Sequence, residues 1–287
     1  MSLILHPATK QQYDRIIQQP SHALLMVGAD GVGKTMVALA LLAEILKIPP
    51  KKLNSYPYFL QVSPIANTIS IETARDIKHF FELKTVGNQL LRRGILIEHA
   101  EDLTIEAQNA LLKTIEEPPA DSIIILTVGH EQLLLPTIVS RLQRLTVHRP
   151  KIETVTEFFL RIGKTPDEVK IALAMSNGLP GLTHAILFSE DHPLLLGIEQ
   201  AKTFLKASKF SRLTLIDEYT KQKEDLLMFI QALLRIAESG LQQAAQKKDN
   251  KNIHRWQKIL DATYNSEKAL LLNTQPKLVL NDLIFEL

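Results

Sequence analysis

Eight consecutive residues carry the chemistry this chain offers first: Gly28-Ala29-Asp30-Gly31-Val32-Gly33-Lys34-Thr35. Glycines at this spacing let backbone N–H groups converge on phosphate oxygens with no Cβ in the way. Lys34 is placed to reach the outer phosphates of a nucleotide, and the Thr35 hydroxyl to ligate Mg²⁺. The expected cradle comprises Gly28, Ala29, Asp30, Gly31, Val32, Gly33, Lys34, Thr35 and Met36. Such a loop works only between a strand and a helix. The apolar run Ala23–Val27 supplies the strand, and Met36–Leu42 reads as a buried helix whose positive N-terminal end adds to the anion site.

The rest of residues 1–148 alternates strands with helices. Tyr58–Val62, Gly94–Ile97, Ile123–Val128 and Leu145–Val147 are expected strands. Ser70 is placed to cap a helix with Ile71, Ala74, Ile77 and Phe81 on one face, and Thr104 to start another that stops at Pro118-Pro119. Strands spaced by helices argue for a parallel α/β sheet covered on both sides. After Pro150 the pattern turns helical. Thr165-Pro166-Asp167-Glu168 is a capping box with proline at the first helical position, and Asn177-Gly178 is a helix stop. A short helix is expected after Pro180-Gly181, and only helical periodicity follows Pro193. The expected organisation is a core at 1–148, a small helical domain at 149–190 and a helical bundle at 191–287.

Bulk composition excludes several classes. The 287 residues contain no cysteine, which removes disulfides, thiolate catalysis and cysteine-based zinc modules. A net charge of +2 rules out a globally basic nucleic-acid trap. No signal sequence and no membrane-length apolar run is visible, so a cytoplasmic protein without membrane contact is expected. Lys10, Arg92, Arg93 and Lys113 read as solvated charges, some of them candidates for facing a phosphate backbone. Trp256, at helical spacing from Ile253 and Ile259, reads as a packing residue.

Three further runs are more particular than the phosphate loop. They are Gly94-Ile95-Leu96-Ile97-Glu98-His99-Ala100-Glu101-Asp102-Leu103, Asn109-Ala110-Leu111-Leu112-Lys113-Thr114-Ile115-Glu116-Glu117-Pro118-Pro119, and Leu135-Pro136-Thr137-Ile138-Val139-Ser140-Arg141. In order and spacing they resemble the bacterial AAA+ clamp-loader family, most closely its delta-prime branch. Asn273-Thr274-Gln275-Pro276-Lys277-Leu278-Val279-Leu280 is similar to the end of that family's collar. The resemblance implies an AAA+ core, a helical lid and an all-α collar. It also implies ATP and Mg²⁺ as ligands. The implied partners are gamma/tau-like motor and delta-like subunits, the sliding clamp, and primer–template DNA within the assembled ring.

The resemblance also shows where this chain departs from a motor. Motor subunits end the third strand with an aspartate for the Mg²⁺ shell and a catalytic glutamate. Here the pair is Glu98-His99. Glu98 can still serve the metal, alongside Thr35, whereas His99 is a poor orienter of water beside phosphate. Glu101 and Asp102 lie beyond the strand end. Gly129 stands at the first sensor position and Leu182 where the lid arginine is expected. Arg141, in Ser140-Arg141-Leu142, matches the family's arginine finger, which reaches into a neighbour's nucleotide site. The implied role is a subunit that binds ATP without efficient hydrolysis and completes a neighbour's site. The alternative is an active gamma/tau-like motor, which the intact loop supports. A small-molecule kinase would need an acceptor pocket and a lid arginine cluster, and the sequence offers neither.

Overall fold

The computed structural model describes residues 3–65, 68–86, 90–188, 193–272 and 274–287. The expected boundary at 190 and Asn273 of the collar-like run lie outside the described residues. The chain forms two compact units, 1–154 and 155–287.

The first unit begins with α1 (Pro7–Gln18), β1 (Ala23–Val27), α2 (Lys34–Ile45), β2 (Phe59–Val62) and α3 (Ile71–Glu82). It continues with β3 (Arg93–Ile97), α4 (Ile105–Glu116), β4 (Ser122–Val128), α5 (Pro136–Val139) and β5 (Gln143–Thr146). All strand pairs are parallel, in the order β2-β3-β4-β1-β5. The central strands β1, β3 and β4 are buried throughout, because helices cover both faces, while the edge strands are partly exposed. One face packs against Ala74, Ile77 and Phe81 of α3 and Ala107, Leu111 and Ile115 of α4. On the other face α2 presses on β3, where a Cβ at Gly94 would meet Leu42 at 3.0 Å and Leu46 at 3.1 Å.

The register puts the site together. Val27 pairs with Val128, and Ile97 with Leu126, so the C-terminal ends of β1, β3 and β4 lie side by side. The loop after β1, residues 98–101 after β3, and Gly129 after β4 therefore share one edge of the sheet, where parallel α/β sheets place ligands.

At the opposite ends of these strands, Arg93 departs from expectation. It is 5% exposed, not a solvated charge. Its Nη2 lies 3.3 Å from Asp121 Oδ1, and its Nη1 donates to Phe81 O at 2.6 Å and Phe80 O at 3.2 Å, closing the C-terminus of α3. Arg92 Nε lies 3.3 Å from Asp121 Oδ2, which also accepts the Thr85 hydroxyl at 2.5 Å. Lys10 and Lys113 are exposed as expected.

Among the described residues, the second unit has helices and no strand. Following α6 (Ile152–Arg161), it contains α7 (Pro166–Ser176), α8 (Pro180–Phe188), α9 (Pro193–Lys206), α10 (Lys209–Thr214) and α11 (Ile216–Tyr219). Two long helices, α12 (Lys223–Gln246) and α13 (Asn250–Leu271), precede α14 (Pro276–Glu286). The capping box is formed: Thr165 N donates to Glu168 Oε2 at 2.8 Å, and Glu168 N to Thr165 Oγ1 at 3.4 Å. Asn177 ends α7 in the left-handed region, φ 50°, and its side chain donates to Glu238 on α12 at 2.8 Å. Phe204, Tyr219 and Phe229 form an aromatic centre among α9, α11 and α12.

Trp256 of α13 lies flat on Gly240 of α12. A Cβ added at Gly240 would stand 2.3 Å from Trp256 Cε2. Gly240→Ala is therefore expected to destabilise the protein by about 1–3 kcal/mol through overpacking, despite its gain in helix propensity. Urea denaturation of the variant checks this, and the loss should shrink in a Trp256→Leu background.

Candidate nucleotide site

The loop is shaped for an anion. Gly31 and Gly33 adopt φ 79° and 96°, the left-handed region that glycine enters without strain. Gly28 is fixed by space instead, since a Cβ there would lie 2.8 Å from Val147 O. Gly33 is the N-cap of α2 and has no side chain to cap it. The first ladder bond runs from Val37 N to Gly33 O, so the N–H groups of Lys34, Thr35 and Met36 have no partner within the helix. No acidic residue occupies that first turn. These features fit phosphate groups on the loop and a Mg²⁺ ion beside the Thr35 hydroxyl.

Lys34 is 6% exposed and folds back onto the loop. Its ammonium donates to Gly28 O and to Asp30 Oδ1, each at 2.8 Å. Asp30 thus acts as a local counter-ion for the cation that a phosphate would otherwise engage. The sequence marks Asp30 only as one residue of the cradle; its side-chain role needs the folded loop.

Beyond β3 the two acidic positions separate. Glu98 turns toward β2 and accepts hydrogen bonds from Gln61 Nε2, at 3.2 Å, and from the Ser63 hydroxyl. Glu101, set aside by the sequence reading as lying past the strand end, folds back: its side chain is 8% exposed and its Oε1 accepts from Gly129 N at 2.8 Å. The first sensor position is therefore filled by the carboxylate of another residue. A Cβ at Gly129 would approach Asp30 Oδ1 and Glu101 Oε1 to 3.1 Å each, so any larger residue would make these carboxylates shift by a few tenths of an ångström.

His99 lies between Glu98 and Glu101 in sequence, with φ 47° and ψ 54°. That conformation is uncommon outside glycine and marks a locally imposed geometry. Its backbone N donates to Thr127 Oγ1 of β4 at 3.2 Å, and its Nδ1 lies 3.8 Å from Glu101 Oε1. The Glu101 carboxylate raises the imidazolium pKa above its usual 6.5 against the opposing effect of burial, and Asp30 adds in the same direction.

Arg141 follows α5. Its Nε lies 2.5 Å from Glu116 Oε1 at the end of α4, and its Nη1 donates to Thr137 O at 2.8 Å. Two of the runs that carry the resemblance meet in this pair. The side chain remains 38% exposed. Gln108, which the sequence reading missed, sets the path to it. Buried at 2%, it donates to Leu103 O and Leu133 O and accepts from Leu135 N, tying α4 to the segment that enters α5. The available signal was a polar residue on the stripe of Ala107, Leu111 and Ile115. Leu182 is fully buried in α8. His6 caps α1 and packs 5.4 Å from the His148 ring, bordering the segment after β5.

Comparison with known proteins gives a consistent picture. The family described as DNA polymerase III, delta subunit, matches residues 5–151. The DNA polymerase III subunit delta' of Pseudomonas aeruginosa is 30% identical over 183 residues, 56% of this chain and 54% of that protein. The chain thus spans about half the length of that relative. The Haemophilus influenzae subunit delta' is 29% identical over 239 residues, 75% of this chain and 71% of that protein. A gamma subunit-related protein of DNA polymerase III from Thermotoga maritima has the same fold, with TM-score 0.55 and 21% identity over 97% of both chains. Among the described residues no helix is long and apolar enough to cross a membrane.

Proposed function

The chain belongs to the DNA polymerase III delta subunit family, and from that premise we propose that it is a delta-prime-like clamp-loader subunit of DNA replication. It binds ATP with Mg²⁺ on Gly28–Met36 and hydrolyses it inefficiently. It lends Arg141 to the site of a neighbouring gamma/tau-like motor. Residues 1–148 are the AAA+ core, 149–190 the lid, and 191–287 the collar that holds it beside motor and delta-like subunits. Through the assembled ring it serves the sliding clamp and primer–template DNA.

One observation carries this reading. The cradle is complete, while the groups that would act on a terminal phosphate are diverted or missing. Glu98 is bonded to Gln61 and Ser63, His99 stands where motors carry a glutamate, and Gly129 offers no side chain. Phosphoryl transfer depends on positioning and charge stabilisation, so a site that grips phosphate without these parts binds better than it turns over. Lys34 and the α2 N-terminus would hold the phosphates, and Thr35 would serve the Mg²⁺ shell, which Glu98 would join only on leaving Gln61 and Ser63, the metal supplying charge neutralisation.

The test is equilibrium binding of Mg²⁺–ATP to the full chain, with turnover measured in parallel. Saturable binding with negligible hydrolysis is expected. Lys34→Met should weaken binding about 10- to 100-fold, the worth of one or two charged hydrogen bonds. Brisk hydrolysis by the isolated chain would favour the motor reading, and absence of binding would remove the nucleotide role. Co-purification of the full chain with a gamma/tau-like subunit tests the assembly.

A further inference from the structure

At the phosphate loop, three ligand-type side chains converge, and nothing above assigns them a common ligand. Atoms of Asp30, His99 and Glu101 all lie within 4.8 Å of one another. They come from three sources: the loop after β1, the left-handed residue after β3, and the short turn at Ala100–Asp102. An acidic cluster alone means little, since Lys34 already balances Asp30 at 2.8 Å. Glu101 supplies the second observation. Its side chain is 92% shielded, its Oε1 faces His99 Nδ1 at 3.8 Å and accepts from Gly129 N, and its buried Oε2 accepts no hydrogen bond from the described residues. A buried carboxylate oxygen left unsatisfied asks for a donor or a cation.

We propose that Asp30, His99 and Glu101 form a binding site for a borderline first-row divalent cation, of which Zn²⁺ is the type, separate from the Mg²⁺ position at Thr35 and Glu98. The donor set decides the class. One imidazole nitrogen with two carboxylate oxygens suits Zn²⁺ and its neighbours, whereas Mg²⁺ prefers oxygen ligands and keeps much of its water. Ligand distances of about 2.0–2.2 Å place donor atoms about 3.3 Å apart around a tetrahedral ion. Nδ1 of His99 and Oε1 of Glu101 lie 3.8 Å apart, and the donor atoms of all three residues, within 4.8 Å of one another, draw together by side-chain rotation to reach that spacing. Solvent reaches the half-exposed His99, which provides an entry path and leaves room for a fourth, water ligand.

The site has a built-in competitor. A cation on Asp30 competes with the Lys34 ammonium for its carboxylate. Removing the ammonium therefore strengthens cation binding while weakening phosphate binding, opposite signs from one substitution. This goes beyond the nucleotide reading, and the cation can be titrated with no nucleotide present.

The experiment is calorimetric titration of the full chain with Zn²⁺ in a non-chelating buffer near neutral pH, with Co²⁺ absorption reporting the ligand field. One ion per chain is expected. His99→Ala and Glu101→Gln should each weaken it at least tenfold, and Lys34→Met should tighten it. His79→Ala, at an exposed histidine paired with Glu82 on α3, should change nothing. Circular dichroism verifies that each variant is folded, and Asp30→Asn is a second ligand variant should one fail to fold. The site is refuted if Zn²⁺ does not bind, if binding is indifferent to both His99→Ala and Glu101→Gln, or if Lys34→Met weakens it.

Discussion

Replacing Arg141 by alanine is expected to lower ATP turnover at the neighbouring motor site of a reconstituted ring by about 10³-fold, the lower end of what an arginine supplied in trans contributes. The local contacts cannot account for such a loss. Arg141 pairs with Glu116, but the two side chains are 38% and 42% exposed, and a surface pair of this kind is worth about 0–1 kcal/mol. The same weak tether keeps the guanidinium presented at the end of α5 while leaving it free to be drawn to a stronger anion. Glu116→Gln removes that tether and should leave turnover near wild type. Arg141→Lys should not rescue, because an ammonium lacks the planar fork that suits spread phosphate charge. Single-site turnover with motor subunits of known stoichiometry is the measurement. Wild-type turnover with Arg141→Ala would end the trans role.

Asp121→Ala should produce the largest loss of stability, about 3–5 kcal/mol, because it leaves the buried Arg93 guanidinium, and the partly exposed one of Arg92, without their carboxylate. The pH dependence has a definite sign. Burial works to raise the Asp121 carboxyl from 3.8, but the Thr85 hydroxyl and the Arg93 and Arg92 charges outweigh it, so the folded protein holds this group below its usual value. A carboxylate depressed in the folded state stabilises above its unfolded pKa, and the contribution fades as pH falls through the folded one. The difference between wild type and Asp121→Ala should therefore be full near neutrality and shrink below about pH 4. Urea titrations at a series of pH values check this. A difference unchanged down to acid would mean that the ion pair is not what the position contributes.

Elements whose pattern is local were legible from the residues alone. The all-apolar run Ala23–Val27 had to be a covered strand, and Gly28–Gly33 had to be a turn from it into the buried helix that follows. The face shared by Ala74, Ile77 and Phe81 lies against the sheet as its spacing requires. The capping box at Thr165 and the stop at Asn177 formed where they were read, because those hydrogen bonds join residues only a few positions apart. Edge strands shifted by a residue or two at their ends, as pairing there is completed on one side only.

What sequence could not determine involves partners far apart in the chain. Arg93 reads as a surface charge until the α3 C-terminus and Asp121, twelve and twenty-eight residues away, close around it. Glu101 reads as lying past the strand until Gly129 N, on another strand's end, turns it inward. Periodicity and capping record the environment along the chain, so residue order alone specified the elements and the glycine-rich loop between β1 and α2. The burial and partner of a charge depend on which strand ends the sheet sets side by side, and that was decided by the β2-β3-β4-β1-β5 order of the tertiary fold.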